Sequence, residues 1–360
     1  MIDHIKIAGY KSIKTLSLAL GPVNLLIGSN GAGKSNFISF FKFLNTVYEQ
    51  RLRSFSLKYG ADDILFFGRK STQELQAYIS FDDINAYEIN LHYGNDNTFF
   101  VHEEHTYFNK KGYGKSEWLQ TLISTEVSEA QITNRNSTIS TFVKGYLQSL
   151  MVYHFHDTSE NAALRSPSDV NDNQSLRENG SNLPAFLFYL QEKHPTNFKR
   201  IENAVRSIAP FFSRFQLQPL RLNDQKIQLE WIQEDHPERY FNASHLSDGT
   251  LRFIALATLL LQPEPPEVII IDEPELGLHP VAINKLSGMI RAAEGKKRQI
   301  IISTQSVGLV NDFEAGEIIT VDRNVDESSF SRLDPEKLKL WLDDYSVGDL
   351  WSKSIIKGQP

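Results

Sequence analysis

The stretch Gly28-Ser29-Asn30-Gly31-Ala32-Gly33-Lys34-Ser35 decides the fold, because it reads G-x-x-x-x-G-K-S, the pattern of a phosphate-binding loop. Residues 22–27 before it predict a buried strand, and residues 36–47 after it predict an apolar helix. This order is typical of a nucleotide site, because the loop leaves backbone N–H groups free and the helix start adds positive potential. Lys34 is expected to reach the β- and γ-phosphates and Ser35 to bind Mg²⁺.

Composition limits the class of protein. The chain has 360 residues, 41% of them hydrophobic, and 37 basic and 44 acidic residues give a net charge of −7. This charge gives no overall electrostatic footprint for nucleic acid but leaves room for a local basic groove. No cysteine is present, which excludes disulfides and thiolate metal sites. The opening residues do not resemble a signal peptide and the apolar runs are shorter than a membrane span, so we expect a soluble cytoplasmic protein.

The N-terminal third reads mainly as strands. Residues 1–8 and 14–20 alternate in polarity and are expected to join the loop strand in a small mixed sheet. Lys11, in the turn between them, either reaches phosphate or ribose or is a solvated turn lysine. Three further alternating segments, residues 73–81, 87–93 and 99–108, predict an antiparallel meander.

The middle of the chain is less informative. Residues 117–150 are polar and are predicted to be partly helical, and residues 183–214 show helical periodicity. His154 and His156 share one face of a short strand, but no carboxylate pattern of ligand type lies near them, which disfavours a metal site. A hairpin is predicted around residues 223–225, between segments 215–222 and 226–233.

Three stretches near the C-terminus could complete a nucleotide site. Ser247, Asp248 and Gly249 precede an apolar helix, residues 251–261, and form either an anion-binding helix start or an ordinary cap. A β-branched run, residues 268–271, predicts a buried strand that leads into Asp272 and Glu273. A carboxylate there can hold Mg²⁺ and its neighbour can polarise water, the alternative being a loop cap. Another strand, residues 298–303, leads to Gln305, which could orient the γ-phosphate.

Set side by side, these motifs resemble the ABC-type ATPases of the SMC/RecF/OLD-like group, among the small stand-alone AAA family ATPases of bacteria. The matching stretches are Walker A (residues 28–35), the signature (246–249), Walker B (269–274), the D-loop (275–280), the switch strand (303–306) and the opening Tyr10-Lys11-Ser12-Ile13.

The resemblance implies an α/β fold: a P-loop NTPase head of ABC type with a mixed central sheet, an antiparallel β meander and an inserted helical lobe. The expected segments are an N-terminal nucleotide-binding lobe (1–110), an inserted lobe (111–215), a C-terminal lobe with signature, Walker B and switch (216–326) and a tail (327–360). ATP is expected to contact Lys11, Asn30, Gly31, Ala32, Gly33, Lys34, Ser35, Asn36, Ser247, Asp248 and Gly249. Mg²⁺ is expected on Ser35 and Asp272, and Glu273 and Gln305 are the expected catalytic residues.

Two departures from the family pattern bear on turnover. Asp248 stands where many ABC proteins have a second glycine, and Gln305 stands where transporters usually have histidine. Because a glutamine side chain carries no charge, hydrolysis is expected to be slow. The family's Q-loop glutamine has no clear match, and Gln148 is the candidate.

The family mechanism implies a homodimer that sandwiches two ATP molecules and controls a separately encoded nuclease or effector, in DNA repair or anti-phage defence. The alternatives are a non-hydrolysing ATP-bound scaffold for a toxin or nuclease and, less favoured, a transporter ATPase subunit. Direct DNA binding stays open, since the following basic residues form either a phosphate-tracking groove or a solvated face: Lys110, Lys111, Lys115, Arg135, Lys144, Lys199, Arg200, Arg206 and Arg214.

Overall fold

The structure, a computed structural model, describes residues 1–113, 117–294 and 298–358. Its strands are β1 (Ile2–Tyr10), β2 (Ile13–Ala19), β3 (Val23–Ile27), β4 (Leu75–Phe81), β5 (Asn85–Tyr93), β6 (Phe99–Asn109), β7 (Trp118–Val127), β8 (Met151–Tyr153), β9 (Ser168–Asp169), β10 (Phe212–Phe215), β11 (Pro219–Leu220), β12 (Asn223–Ile227), β13 (Glu230–Gln233), β14 (His236–Asn242), β15 (Val268–Asp272), β16 (Gln299–Thr304), β17 (Ile318–Asn324) and β18 (Glu327–Arg332). Its helices are α1 (Lys34–Tyr48), α2 (Leu52–Tyr59), α3 (Ala61–Ile64), α4 (Thr138–Gln148), α5 (Leu183–Lys193), α6 (Pro195–Ile208), α7 (Asp248–Leu261), α8 (Pro280–Glu294), α9 (Val307–Val310), α10 (Pro335–Leu342) and α11 (Val347–Ser352). None of the helices in these ranges has the length and apolarity needed to cross a bilayer.

The chain folds into two compact units. The first comprises Met1–Val152, Glu267–Ile270 and Lys297–Pro360, and the second comprises Tyr153–Pro266 and Ile271–Lys296. The four segments predicted from the sequence cut the chain at other places, and that division stays a prediction.

One sheet of the first unit is antiparallel and has the order β2-β1-β4-β5-β6-β7. It contains the predicted meander as β4, β5 and β6, which is confirmed. The expected mixed sheet of β1 and β2 with the loop strand is wrong, because β1 pairs with β2 and β4 instead. Trp118–Val127, predicted within a partly helical stretch, is strand β7. It lies at the sheet edge with most side chains exposed, so it lacks the alternation that identifies a half-buried strand.

The second sheet of the first unit positions the glycine loop, and its order is β18-β17-β3-β16-β15-β8. Strand β3 runs parallel to β16 on one side and to β17 on the other, and all five of its residues are buried. Thr304 of β16 lies opposite Ile27 of β3 in the parallel register. The glycine loop after β3 and Gln305 after β16 therefore follow the same edge of the sheet.

Helix α1 follows the loop and is anchored by phenylalanine. Phe37, Phe40, Phe41 and Phe43 are all at most 2% exposed, and the Phe40 ring makes an edge contact with Tyr10 at 5.3 Å between centroids. Burying a phenylalanine contributes about 1.5–3 kcal/mol. The start of α1 is therefore held rigidly beneath the loop.

The second unit is built on helix α7, which packs against α6 and α8. Residues 250–260 of α7 are all buried, as expected for an apolar helix inside a core. Two small sheets, β10-β13-β14 and β11-β12-β9, complete the unit. The predicted hairpin is confirmed as the antiparallel pair β11–β12, but its turn lies at residues 221 and 222 rather than 223–225, because β12 already begins at Asn223.

Candidate functional site

The glycine loop joins β3 to α1, and its backbone requires glycine at several positions. Gly31 and Gly33 have φ angles of +77° and +119°, in the region that favours glycine. A Cβ on Gly28 would collide with the Val321 carbonyl oxygen. A Cβ on Gly31 would meet no atom within 4 Å, so the loop is open on that side. The predicted loop therefore has the turn geometry that a phosphate cradle needs.

The Lys34 ammonium lies inside this loop. Its side chain is 4% exposed, and Nζ donates to the carbonyl oxygens of Gly28 at 2.6 Å and Ser29 at 3.1 Å. Ser35 is exposed in the first turn of α1, which contains no acidic residue. A cation, a hydroxyl and a helix N-terminus without a competing carboxylate fit the phosphates of a nucleotide and its Mg²⁺.

Ser12, Arg323 and Ser328 support the glycine loop, although none of them was predicted as a site residue. The Ser328 hydroxyl, on β18, hydrogen-bonds the Ala32 carbonyl and lies 2.7 Å from Ser12 Oγ. Arg323 Nη1 donates to the Gly31 carbonyl at 3.3 Å. The only sequence signal for Ser12 is its place in the opening motif, and Ser328 has none, since it lies some 300 positions away along the chain.

Two predicted nucleotide contacts have partners within the protein. Asn36 Nδ2 donates to Ser12 Oγ at 2.7 Å, and Lys11 Nζ donates to Ser39 Oγ, on α1, at 3.0 Å. Burial lowers the pKa of the Lys11 ammonium. Contact of these two residues with ATP stays a prediction.

In the second unit, the predicted signature forms the start of α7. Ser247 is the N-cap residue, and its Oγ accepts a hydrogen bond from the Thr250 N–H at 3.2 Å. A Cβ on Gly249 would lie 2.4 Å from the Gly277 carbonyl oxygen, so the D-loop backbone rests directly on the first turn of α7. Asp248 forms an ion pair with Arg165, with 2.8 Å between Oδ1 and Nη2.

The predicted Walker B carboxylates follow β15. Asp272 is its last residue, and Glu273 has a φ of +43°, which costs a residue with a Cβ about 1–3 kcal/mol. His156 Nε2 donates to the Asp272 carbonyl at 2.7 Å. Strained backbone of this kind is concentrated at functional sites.

Arg252 links this strand end to α7 within the second unit. Its Nε donates to the Phe155 carbonyl and its Nη2 to the His156 carbonyl, both at 2.9 Å. Burial lowers the pKa of the Arg252 guanidinium, and the Asp248 carboxylate acts in the opposite direction. Through His156, Arg252 therefore connects the start of α7 to the end of β15, a link that no sequence motif indicated.

The other hypotheses from the sequence concern Gln148, the two histidines and the basic residues. Gln148 is the last residue of α4 and is exposed. Within the described ranges, no group of three or more histidine, aspartate or glutamate side chains could hold a metal, His154 and His156 included. Four of the basic residues considered for DNA have partners within the protein: Lys110 pairs with Glu117, Lys111 with Asp83 and Lys199 with Glu202, and Lys144 donates to the Arg135 carbonyl. Lys115 lies outside the described residues.

The structure thus brings the predicted residues together in two groups. The first unit contains Gly28–Ser35, Lys11, Asn36 and Gln305, and the second contains Ser247–Gly249, Asp272 and Glu273.

Comparison with known proteins gives three findings. A family model described as "AAA domain, putative AbiEii toxin, Type IV TA system" matches residues 23–311. A 66-residue stretch is 42% identical to the energy-coupling factor transporter ATP-binding protein EcfA of Methanocaldococcus jannaschii, covering 18% of this chain and 23% of that protein. A 114-residue stretch is 30% identical to EcfA2 of Streptococcus agalactiae serotype Ia, covering 30% and 39%. The matched stretches span less than half of these relatives.

Solved structures share the fold. The SMC head bound to the C-winged helix domain of ScpA superimposes with a TM-score of 0.57 over 94% of this chain and 99% of the other, at 15% identity. An SMC head with an extended coiled coil, bound to the C-terminal domain of ScpA derived from Pyrococcus furiosus, gives 0.56 over 95% and 98%, at 12% identity. The fold is similar to that of these SMC heads, which confirms the predicted fold class.

Proposed function

The chain belongs to this AAA-domain family, and from that membership we propose that it is an ABC-type ATPase that binds ATP with Mg²⁺ and hydrolyses it. The observation that carries the proposal is the buried Lys34 ammonium inside a glycine loop, at the N-terminus of a rigidly packed helix. Such an arrangement neutralises phosphate charge with a cation and backbone N–H groups together.

Each motif residue has a proposed role. Lys34 binds the β- and γ-phosphates. The Ser35 hydroxyl and the Asp272 carboxylate are the groups that would hold Mg²⁺, and the ion would offset phosphate charge. Glu273 accepts a proton from the attacking water, and Gln305 orients the γ-phosphate by hydrogen bonding. Because Gln305 carries no charge, we expect slow turnover.

We further propose that two copies associate through ATP. Ser247 is exposed at the N-cap of α7, and the N–H groups in the first turn of a helix have no acceptor within that helix. In this arrangement the α7 start of one copy binds the γ-phosphate held by Lys34 and Ser35 of the other. Hydrolysis then removes that link and separates the two copies.

The partner controlled by this cycle is proposed to be a separately encoded nuclease or effector. The family description names a toxin and a toxin–antitoxin system, which supports a role in defence. The similar SMC heads are bound to domains of a second protein, ScpA, which supports a protein partner. DNA is a weaker candidate ligand, because several of the basic residues considered for it are engaged within the protein.

A second candidate function is a scaffold that binds ATP without hydrolysing it. Gln305, in place of the histidine usual in transporters, favours it, because a neutral side chain stabilises less negative charge in the transition state.

The test measures size by light scattering with and without ATP and Mg²⁺, and phosphate release in parallel, for wild type and Glu273→Gln. We expect ATP-dependent dimers that persist in Glu273→Gln and phosphate release only in wild type. Glu264→Gln, an exposed residue outside the motifs, is the matched control and should behave as wild type. An unchanged size in all conditions contradicts the dimer, and ATP-dependent dimers without phosphate release in wild type favour the scaffold.

A further inference from the structure

A buried arginine organises the loop that leads into α7. The Arg165 side chain is only 9% exposed, although it comes from a stretch rich in serine, asparagine and aspartate. Its Nε donates to the Thr158 carbonyl at 2.8 Å, and its Nη1 and Nη2 donate to the carbonyls of Ala243 and Leu246. Its Nη2 also donates to Asp248 Oδ1 at 2.8 Å. Arg165 therefore binds both the backbone before the helix and the first helical residue.

Asp248 places a negative charge at the start of α7, next to Arg165. Its side chain is 65% exposed at the first position of α7, between Ser247 and Gly249. A carboxylate there stabilises its own helix, but it repels any anion that approaches the same N-terminus. Arg252 also interacts electrostatically with Asp248, but its guanidinium donates hydrogen bonds to the carbonyls of Phe155 and His156.

We propose that Arg165 is a positioning residue that neutralises Asp248 and thereby keeps the start of α7 able to receive the γ-phosphate bound by a second copy. The inference rests on the proposed ATP-dependent dimer. It explains how the protein tolerates an aspartate where a glycine would leave the approach unobstructed. The hydrogen bonds to Ala243 and Leu246 hold the guanidinium in place, so that the charge stays fixed at Asp248.

The test is a double-variant cycle in the Glu273→Gln background, with ATP-dependent association measured by analytical ultracentrifugation. Arg165→Met exposes the charge of Asp248 and is expected to weaken association at least about tenfold. Asp248→Gly removes the repulsion and is expected to tighten it. Adding Asp248→Gly to Arg165→Met is expected to restore association to within about threefold of Asp248→Gly alone.

Controls separate charge from folding. Arg177→Met, in the same stretch of chain, removes an exposed arginine that pairs with Asp172 and should leave association unchanged. At protein concentrations too low for association, binding of a fluorescent ATP analogue should be equal in the Arg165→Met and Arg177→Met variants, because Lys34 and Ser35 are intact. Asp248 is exposed, so its substitution tests the idea even where Arg165→Met fails to fold.

Three outcomes overturn the inference. In the first, Arg165→Met associates as strongly as the Glu273→Gln background does; in the second, the double variant associates as weakly as Arg165→Met does; in the third, Asp248→Gly associates more weakly than the Glu273→Gln background does. A double variant as weak as Arg165→Met would assign Arg165 to the backbone carbonyls alone. If Glu273→Gln with Arg165 and Asp248 intact does not associate with ATP, the proposed dimer fails instead.

Discussion

Gly249→Ala offers a sharp test of how closely the D-loop packs on α7. Alanine normally stabilises a helix by up to about 1 kcal/mol relative to glycine. At this position the new Cβ would lie 2.4 Å from the Gly277 carbonyl oxygen, about 1 Å inside ordinary contact. Overpacking of this kind costs about 1–3 kcal/mol. After the helix gain of up to about 1 kcal/mol is subtracted from this cost, we expect Gly249→Ala to lower the free energy of unfolding by about 0–2 kcal/mol.

Gly288→Ala is the matched control within the same unit. Gly288 lies inside helix α8, and a Cβ there would meet no atom within 4 Å. Its substitution should raise the free energy of unfolding by about 1 kcal/mol. The two variants should thus differ by about 1–3 kcal/mol in urea unfolding followed by circular dichroism.

The result that refutes this reasoning is a Gly249→Ala protein as stable as Gly288→Ala. It would mean that the D-loop moves aside without cost, and that the start of α7 is not held against the Gly277 backbone. ATP-dependent association should also weaken in Gly249→Ala and stay unchanged in Gly288→Ala.

Three further predictions concern the first unit. Trp351→Ala removes a fully buried indole and should lower the free energy of unfolding by about 3–5 kcal/mol in urea, whereas an unchanged midpoint would show that α11 adds nothing to the core. Gly33→Ala places a Cβ against Ser328 at a φ of +119° and should weaken binding of a fluorescent ATP analogue at least about tenfold. Gly145→Ala is the control and should bind the analogue as wild type does, because its Cβ would meet open space. Equal affinities of the two variants would contradict the loop geometry. Burial lowers the pKa of the Lys11 ammonium below its ordinary 10.5, so the unfolded chain holds this proton to higher pH than the folded chain, and the stability of wild type relative to Lys11→Met should rise with pH just below 10.5. Urea unfolding of both proteins at about pH 8 and about pH 10 measures this difference in stability. A difference that does not change with pH would show that Lys11 is solvated.

The sequence alone determined the elements whose chemistry is local. The glycine loop, the apolar helix α1 and the β-branched strand β15 are each identified by residue type and spacing, because turn geometry and burial act over a few positions. The meander β4–β6 was predictable for the same reason, since its strands alternate and its turns contain turn-forming residues.

The partners of β1 and β2 were not predictable. Strands β1 and β2 carry the alternation of any half-buried strand, and only the tertiary structure assigns them to the antiparallel sheet rather than to β3. Strand β7 lies at a sheet edge, where neither face needs to be apolar, so its pattern carries little information.

The supports of the candidate site were decided by the tertiary structure alone. Ser328 reaches the glycine loop, and Arg165 reaches Asp248, across long separations in the chain. Such contacts depend on where the packed core places each element, and no local pattern encodes them. The sequence by itself predicted which residues bind phosphate, because that chemistry lies in a few neighbouring residues. The fold decided which distant side chains hold them in place.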